Sequence, residues 1–113
     1  MAVPALDRGR LDELCGGDAA VEHDLLEILI VESASLLADL RSATSANDVT
    51  VARERVHALK GIAANMGALR LEAIAREMED AVRGDELLGL EPRFAATDAA
   101  LEELKHLADA LAD

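Results

Sequence analysis

Apolar residues recur along most of this chain at intervals of three and four, which is the spacing of one face of an α-helix. The clearest stripe lies within residues 49–66 and consists of Val49, Ala52, Val56, Leu59, Ala63 and Met66. Three further stripes comprise Leu25, Leu26, Leu29, Leu36, Leu37 and Leu40, then Leu71, Ile74, Ala75, Met78 and Val82, and finally Phe94, Thr97, Leu101, Leu104, Ala108 and Leu111. No segment alternates between apolar and polar residues as a half-buried strand does. The pattern therefore predicts an all-α protein.

Residues that begin or end helices divide the chain into five segments. Gly16 and Gly17 end a short opening segment, and Asp18 is a typical N-cap for the helix that follows. Ser45, with an acidic residue at Asp48, resembles a capping box that opens the next helix. Later boundaries are marked by Gly67, Gly84 and Pro92. The predicted helices cover residues 6–15, 19–43, 46–66, 69–83 and 92–112.

Four long helices with short connections and one apolar stripe each are predicted to pack as an antiparallel up-down-up-down four-helix bundle. The short additional N-terminal helix is expected to cover one end of this bundle. A chain of 113 residues is long enough for one hydrophobic core, so residues 1–113 are expected to form a single domain. Because the four stripes can close on one another, we expect a monomer.

Composition narrows the classes of function and location. The chain has 11 Lys and Arg against 23 Asp and Glu, and a net charge of −12 disfavours nucleic acid as a partner. The single cysteine, Cys15, excludes an intrachain disulfide and a CxxC metal site. Acidic residues interrupt the most apolar stretch, residues 25–40, and the N-terminus does not resemble a secretory signal. We therefore expect a cytoplasmic protein without a membrane partner.

The helix predicted over residues 46–66 carries an outward-facing histidine. At about 100° per residue, His57 points away from the core stripe, and Arg53, Gly61 and Ala64 lie on the same exposed face. Lys60 lies at the edge of that face, and its ammonium is expected to reach back over the imidazole. A glycine in mid-helix costs about 1 kcal/mol relative to alanine. Together with Ala64, Gly61 leaves the surface beside the histidine bare, as the close approach of another protein requires.

The charge around this histidine is opposite to that of the chain as a whole. Residues 49–70 contain Arg53, Arg55, Lys60 and Arg70 against Glu54 alone, a net charge of +3. The other 91 residues therefore carry −15. A basic region with an exposed histidine suits a phosphoryl group or the anionic pocket of a partner.

The run of residues 57–69, HALKGIAANMGAL, resembles the signature of histidine-containing phosphotransfer (HPt) domains: a histidine, then Lys60 at +3, Gly61 at +4 and Gly67 at +10. Residues 6–18, LDRGRLDELCGGD, are similar to the opening segment of the same family. The resemblance spans most of the chain. It implies a passive phosphocarrier in two-component signalling, without an ATP-binding or kinase domain.

The resemblance also implies a role for each site residue. His57 is then the phosphoacceptor, attacking through Nε2, and receives a phosphoryl group from the aspartyl phosphate of one response-regulator receiver domain before passing it to another. Lys60 neutralises phosphoryl oxygens, and Arg53, Gly61 and Ala64 form the docking surface. Gly67 is structural. The partners are receiver domains, including that of a hybrid histidine kinase. The chain needs no cofactor of its own, and Mg²⁺ is expected from the receiver.

Two alternatives remain open from the sequence. The chain could be a helical interaction module in which His57 is dispensable. It could also be a di-metal carboxylate enzyme, because Glu54 and His57, and likewise Glu103 and His106, form Glu-x-x-His motifs. The stripes argue against the enzyme, since they turn these residues outward. Glu54, three residues before His57, is a candidate for orienting its ring or a solvated surface charge.

Overall fold

Five α-helices make up the part of the chain that the computed structural model describes, residues 3–84 and 86–112. They are α1 (Arg8–Cys15), α2 (Ala19–Ser45), α3 (Val49–Met66), α4 (Leu69–Val82) and α5 (Glu91–Ala112). No strand occurs among the described residues, which confirms the predicted all-α class. None of these five helices is both long and apolar enough to span a bilayer.

The four long helices form a closed antiparallel bundle in which α2 packs against α3 and α5, and α4 packs against α3 and α5. Two contacts show the relative direction of α2 and α5. Near the start of α2, His23 Nδ1 lies 2.7 Å from the Ala108 carbonyl oxygen near the end of α5. Further along α2, Arg41 Nη2 donates to the Asp98 carboxylate at 2.7 Å. The predicted four-helix bundle with an additional N-terminal helix is confirmed.

The predicted apolar stripes form the core. Every predicted residue of α4 is buried, and α3 buries all but Val49 of its stripe. Leu25, Leu36 and Leu111 also lie at the rim of the core, where they are partly buried. The largest fully buried side chains include Leu26, Leu29, Leu40, Leu59, Leu71, Met78 and Leu104. Because the stripe of α3 packs into the core, the opposite face of that helix is left for solvent or a partner.

The boundary between α2 and α3 differs from the prediction. Ser45 is the last residue of α2, which therefore extends two residues beyond the predicted end. The N-cap of α3 is Asp48, whose carboxylate accepts a hydrogen bond from the Val51 amide at 3.1 Å. Asn47 adopts a positive φ of 54°, which ends the helical path before Asp48. The predicted capping box is therefore wrong, because Asp48 itself caps α3. The helix begins at Val49 rather than at the predicted residue 46.

The N-cap predicted for α2 is confirmed, because Asp18 accepts hydrogen bonds from the Ala20 and Val21 amides at 3.0 and 3.3 Å. At the other end of the chain, Pro92 lies in the first turn of α5. A proline is tolerated there because the first amides of a helix have no acceptor within it.

The short helix α1 is anchored at the end of α3. The Asp7 amide donates to the Gly67 carbonyl at 2.7 Å, and Arg10 Nε donates to the Asn65 carbonyl at 3.1 Å. Gly67 has a φ of +73°, and a Cβ at this position would lie 3.0 Å from Arg10 Cβ. Both its backbone conformation and the close approach of α1 therefore favour glycine here.

Candidate functional site

His57 lies near the middle of α3 on the side opposite the core, and its side chain is 77% exposed. Arg53, Gly61 and Ala64 are exposed as well, so the structure brings together on one face the residues predicted from helical periodicity. A Cβ placed on Gly61 would have no neighbour within 4 Å. The surface beside the imidazole is therefore open, and we call the strip formed by His57, Gly61 and Ala64 the His57 ridge.

A carboxylate from the neighbouring helix connects the two polar residues of the site. Glu79, on α4, has one oxygen 3.4 Å from His57 Nδ1 and the other 2.8 Å from Lys60 Nζ. The side chains of Glu79 and Lys60 are 31% and 26% exposed, so this pair lies half-buried beneath the more exposed imidazole. The sequence pattern of α3 gave no indication of Glu79. The feature of the sequence that could have indicated Glu79 is its position directly after Met78, at the edge of the apolar stripe of α4.

The charges of this group fix the protonation of Glu79. The hydrogen bond from Lys60 lowers the pKa of the Glu79 carboxyl below its ordinary value, and the contact with His57 acts in the same direction, against the opposing effect of partial burial. Glu79 is therefore ionised at neutral pH, and an ionised carboxylate can only accept hydrogen bonds. When a neutral imidazole makes this contact, Nδ1 must carry the proton, which leaves the lone pair of Nε2 free for reaction.

The ammonium of Lys60 is bound to Glu79, a contact that the helical geometry of α3 alone did not indicate. Other basic residues of the +3 segment are paired similarly. The guanidinium of Arg55 donates to Asp39 on α2 at 2.9 Å, and that of Arg70 to Glu103 on α5. The positive charge counted along the sequence is thus largely neutralised across helix interfaces. The role of Lys60 toward a phosphoryl group stays a prediction.

Glu54 does not orient the ring in this structure. Its carboxylate lies 3.5 Å from the guanidinium of Arg55, whereas the carboxylate beside His57 Nδ1 is that of Glu79. The second Glu-x-x-His motif also fails to point inward, since Glu103 is paired with Arg70 and His106 is exposed. Over residues 3–84 and 86–112, no group of three or more His, Cys, Asp or Glu side chains could hold a metal ion.

A groove lies on each side of the His57 ridge. The groove between α3 and α4 has a volume of about 280 Å³ and is lined by Arg53, His57, Glu79, Val82 and Arg83. The groove between α2 and α3 has a volume of about 400 Å³ and is lined by Glu32, Ser35, Leu36, Ala58 and Ile62. The first is flanked by two arginines and the second is mainly apolar. The histidine therefore lies where a partner could contact both kinds of surface.

Fold and site together define a class of protein. A histidine exposed on the outside of a helical bundle, with a carboxylate beside its Nδ1, is accessible to another protein that contacts this surface.

Comparisons with known proteins identify the family. The Hpt domain family matches residues 24–113, which is most of the chain, and the chain therefore belongs to that family. Family membership supports a histidine phosphotransfer role in a phosphorelay, and proteins of this family are in general phosphocarriers that interact with receiver domains. No curated protein sequence matches the chain significantly.

Two solved structures are similar to this one. The structure of histidine-containing phosphotransfer protein B (HptB) from Pseudomonas aeruginosa PAO1 has a TM-score of 0.85 and 26% sequence identity, over 96% of this chain and 95% of that one. The HPT domain from a sensor hybrid histidine kinase of Shewanella has a TM-score of 0.72 and 16% identity, over 95% and 92% of the two chains. The second likeness shows the fold alone.

Proposed function

We propose that this protein is a phosphorelay intermediate in which His57 accepts a phosphoryl group from the aspartyl phosphate of one receiver domain and passes it to the aspartate of another. The observation that carries this proposal is the arrangement at His57, where an exposed ring has Nδ1 directed at an ionised carboxylate. Such a ring offers a reactive Nε2 to a protein that approaches from solvent.

The transfer step follows from this arrangement. The Nε2 lone pair attacks the phosphorus of the aspartyl phosphate, an Nε2–P bond forms, and the P–O bond to the aspartate breaks with its electrons leaving on the carboxylate. The ring keeps its Nδ1 proton and becomes positively charged, so the Glu79 carboxylate stabilises it. The reverse sequence delivers the phosphoryl group to the second receiver. Phosphoryl transfer depends mostly on positioning and charge stabilisation, which suits a carrier with few polar groups.

Lys60 has a second acceptor available once the histidine is phosphorylated. Its ammonium is held 2.8 Å from Glu79 Oε1, one turn of α3 from His57, where it can turn to the phosphoryl oxygens. Gly61 and Ala64 form the surface on which the receiver docks, because neither has a side chain beyond Cβ. Arg53, at the edge of the α3–α4 groove, steers the acidic pocket of the receiver.

The receiver supplies the remaining chemistry. The sequence contains no GxxxxGK[ST] phosphate-binding loop, and the proposal assigns this chain neither ATP binding nor kinase activity. Mg²⁺ belongs to the receiver in this scheme and would be held by the acidic pocket around its aspartate. In this proposal the chain acts as a monomer in the cytoplasm.

A two-receiver relay assay tests this proposal. The chain is incubated with a receiver domain carrying labelled phosphate, separated from it, and then mixed with a second, unlabelled receiver. We expect acid-labile, base-stable label on the chain, followed by its appearance on the second receiver. His57→Gln should abolish both steps, whereas His106→Gln, a matched change at another exposed histidine, should preserve them. Label that persists in His57→Gln would contradict the site, and a wild-type chain that accepts no label would favour the interaction module.

A further inference from the structure

A second carboxylate contact lies away from His57, between α1 and the first turn of α2. Glu22 is only 5% exposed although it is charged in its ordinary state, and its Oε1 is buried without a hydrogen-bond donor. The carboxyl group of Asp12, on α1, lies within hydrogen-bonding reach of the Glu22 carboxyl. Two ionised carboxylates cannot donate to each other, so this contact is satisfied only when the pair holds a proton.

The surroundings offer the buried Glu22 carboxylate little compensation for a negative charge, whereas Asp12 is exposed. Two free amides in the first turn of α2 are occupied, because Asp18 accepts from the Ala20 and Val21 amides. The negative charge of Asp18 also disfavours an ionised Glu22, whereas the positive charge of Arg8 on α1 favours it. Since a buried, unpaired charge is costly, the protonated pair is the stable form when α1 is docked.

We propose that Asp12 and Glu22 form a proton-dependent latch, in which one shared proton holds α1 against α2 and the loss of that proton loosens α1 from the bundle. This latch is independent of the reaction at His57. The latch is nevertheless connected to the helix that carries His57. The Asp7 amide and Arg10 donate to the carbonyl groups of Gly67 and Asn65, which joins α1 to the end of α3.

The direction of the pH effect follows from the charges. The hydrogen bond with Asp12 raises the pKa of the Glu22 carboxyl above its ordinary value of 4.5, burial and the charge of Asp18 add to this, and Arg8 lowers it. Burial and the same carboxylates raise the pKa of the Cys15 thiol. A carboxyl with a raised pKa contributes stability that is complete below its ordinary pKa. That contribution is lost as the pH rises through the raised value.

Hydrogen exchange of the full chain tests the latch. The protection of α1 amides, relative to α4 amides and corrected for intrinsic exchange, is measured at about pH 5 and about pH 8. Each pH unit between the ordinary and raised pKa corresponds to about a tenfold change in the docking equilibrium. We therefore expect the relative protection of α1 to fall by more than about twofold in the wild type as the pH rises. In Glu22→Gln, whose amide donates to Asp12 at every pH, it should change less than about twofold.

The exposed Glu32 on α2 provides the matched control, because Glu32→Gln removes one negative charge from the same helix away from α1 and should behave as the wild type does. A wild-type chain whose α1 protection does not change with pH would overturn the latch. So would a Glu22→Gln variant as sensitive as the wild type. A carboxyl ¹³C titration of the unmodified chain gives a second readout, and an ordinary midpoint for Glu22 would overturn the proposal even if the variant failed to fold.

Discussion

Replacing Glu79 by glutamine removes the charge that faces both His57 and Lys60 while keeping the volume of the side chain. In the wild type the carboxylate accepts from His57 Nδ1 at 3.4 Å and from Lys60 Nζ at 2.8 Å. A glutamine can present either its oxygen or its NH₂ group to Nδ1, so it no longer selects the ring tautomer in which Nε2 is unprotonated. We expect Glu79→Gln to fold normally, to shift the tautomer ratio toward Nε2–H and to slow phosphotransfer.

The size of this effect can be worked from the geometry. A hydrogen bond to a charged group contributes about 1.5–3 kcal/mol when it is shielded from water. The His57 side chain is 77% exposed and the contact is long, so the value for an exposed charge pair applies, about 0.2–1 kcal/mol. This free energy changes the ratio of the Nδ1–H to the Nε2–H tautomer by about 1.4- to fivefold. The transfer rate should fall by up to this factor, because it follows the fraction of the ring that is in the reactive tautomer.

Two measurements check this prediction. Long-range ¹H–¹⁵N correlation spectra of the neutral imidazole report the tautomer ratio, and transfer from a phosphorylated receiver reports the rate. The matched control is Glu72→Gln, which removes another half-buried carboxylate of α4, in this case one paired with Arg76 at 2.8 Å. The control should change neither readout. A tautomer ratio that is the same in Glu79→Gln and in the wild type would refute the assignment of Glu79 as the residue that positions the ring.

Three further predictions concern the residues around the site. Gly61→Leu should raise the free energy of unfolding in urea by about 0.5–1 kcal/mol, because leucine is the better helix former and the position is open. The same change should slow transfer by about tenfold or more, because the leucine side chain obstructs docking. An unchanged transfer rate would contradict the docking surface. Gly67→Ala should lower the free energy of unfolding by about 1–3 kcal/mol, because the φ of +73° and the 3.0 Å approach to Arg10 both disfavour a Cβ. An unchanged free energy of unfolding in the same urea assay would contradict this prediction. The lowered pKa of Glu79 contributes stability that is complete above its ordinary pKa of 4.5 and is lost as the pH falls through the lowered value. Because Lys60 is the main cause of the lowered pKa, Lys60→Gln should reduce the loss of Tm between about pH 5 and about pH 3. Its own cost at neutral pH should be about 0.5 kcal/mol, and an acid profile identical to that of the wild type would show that Lys60 does not set the pKa of Glu79.

Most of the fold could be predicted because one helical face determines burial. The stripe from Leu71 to Val82 is buried as predicted, and Asp18 caps α2 as its side chain suggests. The boundary before α3 was not predictable in the same way. Ser45 and Asp48 are both competent N-caps, and the choice depends on the turn at Asn47, whose positive φ the sequence does not specify.

The site shows where periodicity on a single helix stops being informative. It places His57 outward and Gly61 beside it, since both follow from the angle per residue. The partner across the interface depends on the rotation of α4 against α3. The carboxylate of Glu79 was therefore missed, and so was its ion pair with Lys60. The same limit explains the +3 segment, because pairing with acidic residues of other helices is invisible in a count along the chain.

The most direct test of the central claim is to locate the phosphoryl bond. The chain is phosphorylated with a phosphorylated receiver or with phosphoramidate as a small donor, and ³¹P–¹⁵N correlation spectra are recorded on ¹⁵N-histidine-labelled protein. We expect a single phosphohistidine, on Nε2 of His57, while His23 and His106 stay unmodified. A phosphoryl group on Nδ1, or on either of the other histidines, would contradict it.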